Sequence, residues 1–225
     1  MKPITVLLAE DHQIVREGFR SLLKHEPDIE VIGEAETGRQ AVQLTRKLRP
    51  AVVIMDIAMP LLNGLEATRQ IRKDCPDTQV LILSAHSDDV YVEQVALLGA
   101  AGFLLKQTSS ENLATAIREV QKGNTFFTGS ISKRVKDRSS KSLNRAGDFQ
   151  KKSNHLSSRE VEVLQLIAEG MPNKQVAAEL GVSFKTVDKH RQHLMGKLNI
   201  HDVAGLTRYA IAEGIIESNV RVTLT

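Results

Sequence analysis

The stretch Ala51-Val52-Val53-Ile54-Met55-Asp56-Ile57-Ala58-Met59-Pro60 decides the fold. Its apolar run reads as a strand that delivers one carboxylate, Asp56, at its end. Two other runs repeat the pattern. Ile4-Thr5-Val6-Leu7-Leu8-Ala9 delivers Glu10-Asp11, and Gly102-Phe103-Leu104-Leu105 delivers Lys106. A fourth run, Val80-Leu81-Ile82-Leu83, ends in Ser84. Any one of these groups can simply mark where a strand meets solvent. All of them together point to a shared C-terminal sheet edge, where open parallel sheets build their sites. Carboxylates plus one lysine make a cup for a hard divalent cation and a phosphoryl group.

Outward from that stretch, strand and helix patterns alternate. Strands are expected near 4–9, 29–34, 51–55, 79–84 and 101–105. Helical spacing falls near 13–25, 38–48, 65–74, 89–98 and 110–122. Gly38, Asn63-Gly64, Pro76 and Gly99 punctuate them. Alternating βα units imply a parallel sheet with helices on both faces. Five of them make an α/β flavodoxin-like domain over residues 1–122.

These residues resemble the receiver domain of bacterial response regulators, across roughly the first half of the chain. The resemblance implies a role for each position. Asp56 matches the phospho-accepting aspartate. Glu10 and Asp11 match the acidic pair that helps hold Mg²⁺, and Ala58 matches the position whose backbone carbonyl completes the metal site. Ser84 and Lys106 match the groups that contact phosphoryl oxygens, and Phe103 sits at the aromatic switch position. The chemistry supports these roles. A carboxylate is a weak nucleophile, so phosphoryl transfer to it needs positioning and charge neutralisation more than proton transfer. A Ser84 hydrogen bond that exists only after phosphorylation turns a local charge into a conformational signal.

At 225 residues there is room for two modest domains. No apolar run approaches membrane-spanning length. Met1-Lys2-Pro3 leads straight into a strand, with no signal-peptide pattern. Cys75 is the single cysteine, so no internal disulfide forms, consistent with a reducing, cytoplasmic setting. His12, His25 and His86 do not stand at metal-ligand spacing with cysteines or one another, which argues against zinc. Charge divides unevenly. Residues 1–122 carry 14 Lys/Arg and 17 Asp/Glu, while residues 123–225 carry 16 and 10. A basic half on an acidic half suggests an anionic partner for the basic half. No cationic amphipathic helix with exposed bulky apolar residues accompanies it, so the partner is not expected to be a membrane.

From 123 to 154 the apolar content falls, and Ser139-Ser140-Lys141-Ser142 and Lys151-Lys152 read as a flexible linker, with a short helix near Ile131 and Val135 as an option. Order returns at Leu156. Ser157 and Glu160 form a capping-box pattern, with Leu156 and Val161 placed for a hydrophobic staple. Helical spacing continues to Gly170. A second helix is expected with Pro172 at its first position, running through Val176, Ala177 and Leu180 to Gly181. Ser183 caps a third, 184–198, with apolar positions Phe184, Val187, Leu194, Met195 and Leu198. A fourth covers 203–213, with Leu206, Tyr209 and Ala210 facing one way.

A short helix, a glycine turn and a capped helix make a helix-turn-helix. On a wheel of 184–198, Lys185, Lys189, Gln192, His193 and Gly196 lie opposite the apolar side, with Asp188 on the flank. A solvated face would look the same in isolation. After a capped turn in a basic domain, groove contact is the better account. Arg191 falls near the apolar side, where edge packing and phosphate contact are equally good readings.

The words Leu156-Ser157-Ser158-Arg159-Glu160, Ile167-Ala168-Glu169-Gly170, Ala177-Ala178-Glu179-Leu180-Gly181, Thr186-Val187, His190-Arg191 and Lys197-Leu198 resemble the LuxR-type four-helix DNA-binding domain, here assigned to 155–218. A receiver followed by this domain is the layout of the NarL/FixJ group. Asp188 departs from it, since a basic residue is common there. DNA contacts are expected from Lys174 and Lys197 to the backbone, from Lys185, Lys189 and Gln192 to bases, and from Thr186, His193 and Asp188, which could accept from cytosine N4.

The expected function is that of a phosphorylation-controlled transcription regulator. It would take a phosphoryl group from a histidine kinase, use Mg²⁺, bind a double-stranded operator and form a homodimer when phosphorylated or DNA-bound. An alternative is a phosphoryl-aspartate enzyme. Dehalogenase-like phosphatases need a second aspartate two residues after the nucleophile, and Ala58 stands there. A third reading makes the C-terminal domain a protein-interaction module.

Overall fold

The computed structural model describes residues 2–85, 95, 98–108, 110–127 and 156–216. The chain divides into two compact units, Met1–Ser153 and Asn154–Thr225.

In the first unit, β1 (Ile4–Ala9), β2 (Ile29–Ala35), β3 (Val52–Asp56), β4 (Gln79–Ser84), β5 (Gly102–Leu105) and β6 (Phe126–Phe127) form one parallel sheet in the order β2-β1-β3-β4-β5-β6. The helices among the described residues are α1 (Gln13–Lys24), α2 (Gly38–Leu48), α3 (Gly64–Asp74) and α4 (Ser110–Gln121). Strand side chains alternate between two cores, as period-two geometry requires. Leu7, Val53, Met55, Val80, Ile82 and Phe103 pack with α2 and α3 residues such as Val42 and Ile71. Val6, Leu8, Ile54, Leu81 and Leu104 pack with Phe19 and Leu23 of α1 and Leu113 and Ile117 of α4. Because both faces are covered, the strands read as continuous apolar runs.

β6 corrects the expectation of a tether starting at 123. Phe126 and Phe127 pair with Gly102 and Phe103, extending the sheet to six strands. The pairing needs glycine at 102, where a Cβ would lie 2.5 Å from the Phe126 carbonyl oxygen. The helix expected over 89–98, the one near 131–135, His86 and the rest of the 123–154 stretch fall outside the described residues, save Val95, Leu98 and residues 123–127.

The second unit holds α5 (Ser158–Ala168), α6 (Asn173–Glu179), α7 (Phe184–Leu198) and α8 (Val203–Ala212). Ser157 and Glu160 close the capping box, each side chain taking the other's backbone N–H. Val163, Leu164, Ile167, Val176, Val187, Leu194, Leu206 and Ala210 are its buried apolar residues. Pro172 stands at the N-cap of α6, not at its first helical position, with extended ψ of 152°. Two arginines tie the turn together. Arg159 donates to the Leu180 carbonyl at 2.9 Å, and Arg191 donates to Asn173 Oδ1 at 2.9 Å. Arg191 therefore serves the packing of α7 on α6, one of the two roles its position on the wheel allowed.

One apolar expectation shifts. Phe184, counted among the apolar positions of α7, is 57% exposed. Val187 and Leu194 carry the burial of that helix, and its first residue lies outside the core they form. Leu206 and Ala210 close the domain core, so the large outward apolar residues of α8 are Val203 and Ile211.

Candidate functional site

Sheet register explains why the charged groups meet. Ala9 of β1 lies beside Met55 of β3, so Glu10 and Asp56, one residue on, leave the sheet as neighbours. Asp56 pairs with Leu83, which brings Ser84 next, and Ser84 pairs with Leu105, which brings Lys106 next. The Lys106 N–H donates to the Ser84 carbonyl at 2.8 Å and fixes that corner. This is the carboxyl edge between β1 and β3, where the strand order reverses and open α/β sheets place their sites.

Lys106 Nζ stands 2.7 Å from Glu10 Oε2 and 2.9 Å from Asp56 Oδ2. Glu10, Asp56 and Ser84 are buried, while Asp11 and Ala58 are half-buried. Burial first, and the Glu10 charge second, push the Asp56 carboxyl up to about 6 against the opposing pull of Lys106. Burial alone would lower the Lys106 ammonium, but the charges of Asp56 and Glu10 outweigh it and hold the lysine above its ordinary range. The pocket therefore keeps its lysine charged and its aspartate only weakly favoured as a carboxylate.

The turn after β3 is held by Gly64, whose N–H donates to the Ile57 carbonyl at 2.8 Å. A Cβ on Gly64 would lie 1.8 Å from the Asp56 carbonyl oxygen, so α3 starts there only with glycine. Ala58 lies inside this turn. Phe103 is fully buried, in the core shared with α2 and α3.

Metal-ligating atoms of Glu10, Asp11, His12 and Asp56 lie within 4.8 Å of one another. Glu10 Oε2 and Asp56 Oδ2 face the Lys106 ammonium and Asp11 Oδ1 faces His12 Nδ1, yet none of the three buried oxygens has a hydrogen bond of good geometry. Three such carboxylate oxygens around one space fit a hard divalent cation. His12 is the member the sequence did not offer. Its Nδ1 lies 2.8 Å from Asp11 and 3.1 Å from Glu10, and the Asp11 charge chiefly raises its pKa. Its position immediately after the acidic pair was the available signal; a test for His and Cys spacing passes over it.

In the second unit, Lys185, Lys189, Gln192, His193 and Gly196 line the exposed side of α7, with Thr186 and Asp188 half-buried beside them. Lys174 is exposed in the first turn of α6. The other expected contacts have partners within the protein. Thr186 shares a 2.9 Å hydrogen bond with the capping Ser183 hydroxyl. Asp188 accepts from Gln192 Nε2 at 2.9 Å. Lys197 Nζ lies 2.6 Å from Glu160 Oε2, the same oxygen that takes the Ser157 N–H of the capping box. Glu160 lies 37 residues away on another helix, which is why no local pattern showed this pairing.

Comparison with known proteins agrees with both units. Residues 6–118 match the response regulator receiver domain, and residues 154–210 match the bacterial regulatory proteins of the LuxR family. The chain is 38% identical to the transcriptional regulatory protein LiaR of Bacillus subtilis (strain 168), over 92% of this chain and 96% of that one. It is 35% identical to the transcriptional regulatory protein DegU of Brevibacillus brevis, over 88% and 89%. Among solved structures it resembles the RcsB response regulator of Salmonella typhimurium, with 29% identity, a TM-score of 0.55, and coverage of 94% of this chain and 100% of that one. RcsB has also been solved as two dimers bound to two parallel DNAs. A receiver-type sheet and a LuxR-type helical domain in one chain make this protein a member of the NarL/FixJ-type two-component response regulators, a family of DNA-binding transcription regulators and not of enzymes.

Proposed function

We propose that Asp56 accepts a phosphoryl group from a partner histidine kinase, and that this controls binding of the second unit to a double-stranded operator. The convergence of Asp56, Glu10 and Lys106 within 3 Å contacts at one sheet edge carries the reading. An Asp56 oxygen attacks phosphorus, the phosphorus–nitrogen bond of the phosphohistidine breaks, and the released imidazole takes a proton. Glu10, Asp11 and Asp56, with the Ala58 carbonyl, would hold Mg²⁺, which would supply charge neutralisation for the transfer. Lys106 pairs with a phosphoryl oxygen, Ser84 donates to another, and Phe103 follows the movement of that segment as the switch.

On DNA, Lys174 meets phosphate, and Lys185, Lys189, Gln192 and His193 enter the major groove. Lys197 and Thr186 serve the fold first, since their partners are within the domain. The chain acts as a homodimer on paired half-sites, as the RcsB dimers on DNA support. We read the receiver as running through β6. The site of action is the cytoplasm, where the operator is; among the described residues no helix is long and apolar enough to cross a membrane.

The test is intact-mass measurement after treatment with a small phosphodonor and Mg²⁺. The protein should gain one phosphoryl group, and Asp56→Asn or removal of Mg²⁺ should abolish the gain. Undiminished labelling of Asp56→Asn would overturn the assignment.

A further inference from the structure

The outward side of α7 is basic except for one acid. Asp188 sits half-buried on its flank, and its Oδ2 takes a hydrogen bond from Gln192 Nε2 at 2.9 Å, one helical turn further on. A carboxylate only accepts hydrogen bonds. It therefore fixes which end of the Gln192 amide faces it: the nitrogen turns toward Asp188, and the oxygen turns away. One of the two Nε2 hydrogens is then committed. What remains for a ligand is one N–H donor beside one carbonyl acceptor.

That remaining pair matches one base. Adenine presents N7 as an acceptor and its N6 amino group as a donor at the major-groove edge. Guanine presents two acceptors, N7 and O6. A free glutamine amide can use both of its N–H groups and rotate to suit either purine. With one N–H held by Asp188, Gln192 offers a single donor, and the second guanine acceptor would face either the amide oxygen or the Asp188 carboxylate.

We propose that Asp188 is a positioning residue that makes Gln192 an adenine reader, excluding guanine at one operator position. The proposal rests on the assignment of this side of α7 to the major groove. An acid that lowers general affinity for a polyanion has a place here because it sharpens base choice. Asp188 need not touch the DNA.

The experiment uses the full chain, treated with a small phosphodonor and Mg²⁺, and an operator obtained by selecting bound fragments from random DNA. Binding is measured on that operator and on variants with each base at each contacted position. The proteins are wild type, Asp188→Ala, Gln192→Ala and the double variant, each confirmed as folded by its thermal transition. Gln192→Ala should erase a preference for adenine over guanine at one position, a loss of at least about fivefold. Asp188→Ala should erase much of the same preference at the same position, and the double variant should lose no more than Gln192→Ala alone. Removing the charge also strengthens binding to every DNA. That change appears equally in both backgrounds and cancels in the cycle. If Asp188→Ala shifts affinity equally on all DNAs and keeps the adenine preference, the proposal is wrong. It is equally wrong if Asp188→Ala loses a cytosine preference at a different position, additively with Gln192→Ala, because Asp188 would then read a base itself. If Gln192→Ala changes no base preference at all, the groove assignment of this side of α7 fails, and the proposal fails with it.

Discussion

Asp56 concentrates the cost of the site. A carboxyl lifted to about 6 by burial and by Glu10 is ionised in the folded chain at a loss of roughly 3 kcal/mol relative to the unfolded chain. The sign follows from the raised value. Between the ordinary carboxylate range and about 6, the unfolded chain has released the Asp56 proton and the folded chain has not. Stability from this group is therefore full at low pH and falls as pH rises through that window. Asp56→Asn should raise the melting temperature at pH 7.5 and change it little at pH 4. A scan at both pH values checks this, and equal shifts would show that charge is not the cause. Mg²⁺ should raise the wild-type melting temperature at pH 7.5 by binding the folded state, and should raise that of Asp56→Asn less. Labelling by a phosphodonor at limiting Mg²⁺ should slow as pH falls, because protons compete with the cation for the Asp56 carboxylate. The acidic pair, Asp56 and Lys106 were legible because each follows an apolar run, and a parallel sheet brings such ends together. His12 was passed over because it was tested only for spacing to cysteines and other histidines, while its partners are its neighbours Glu10 and Asp11.

At the scale of elements, the clearest addition is the link between α7 and the start of α5. Glu160 closes the cap of α5 and also holds Lys197 in the last turn of α7. Burial pushes the Glu160 carboxyl up, but Lys197 and the Ser157 N–H outweigh it and leave the group below its ordinary range. The contribution of the pair is thus present near neutral pH and fades as pH falls through that lowered value. Lys197→Ala should destabilise the second unit by roughly 1–2 kcal/mol, less than loss of a fully buried pair because Lys197 is 42% exposed. Its salt dependence on random DNA should match wild type, whereas Lys174→Ala should weaken all DNA and reduce the salt slope by about one. Urea melts and binding isotherms at several salt concentrations separate the two lysines. A wild-type melt with a reduced slope for Lys197→Ala would return it to the phosphate contacts. The same scale shows what local pattern misses. The capping box, the Ser183 cap and the glycine stops are local chemistry, so the helices of the second unit were readable to within a residue or so. β6 is two residues long in a polar stretch, too short for a period, and only pairing with β5 defines it. Phe184 has the right period for the core but lies beyond it.

For the whole molecule the question is how charge at one sheet edge reaches DNA. The proposed phosphorylation would bring about two negative charges to a pocket with one lysine, a cost that reorienting the groups around it would lower. The proposed dimer would find exposed apolar side chains on α8. Val203 and Ile211 are 44% and 38% exposed and stand eight residues apart, with Thr207 between them on the same helix face. Leu206 and Ala210 belong to the core instead, so substitutions there would test folding and not assembly. Two half-sites bound by two copies gain from each other when the copies touch, since the second binding event becomes intramolecular. Phosphorylation should therefore raise the dimer fraction, and DNA should raise it further. Sedimentation equilibrium of the untreated and the fully phosphorylated chain measures the first, and the same runs with operator measure the second. Ile211→Glu should keep the melting temperature and phosphodonor labelling of the wild type. It should lower the dimer fraction on DNA and lose cooperative occupancy of paired half-sites, while single half-sites bind as before. An unchanged dimer fraction on full phosphorylation would reject the coupling between Asp56 and assembly. Unchanged cooperativity in Ile211→Glu would place the contact between copies elsewhere than α8.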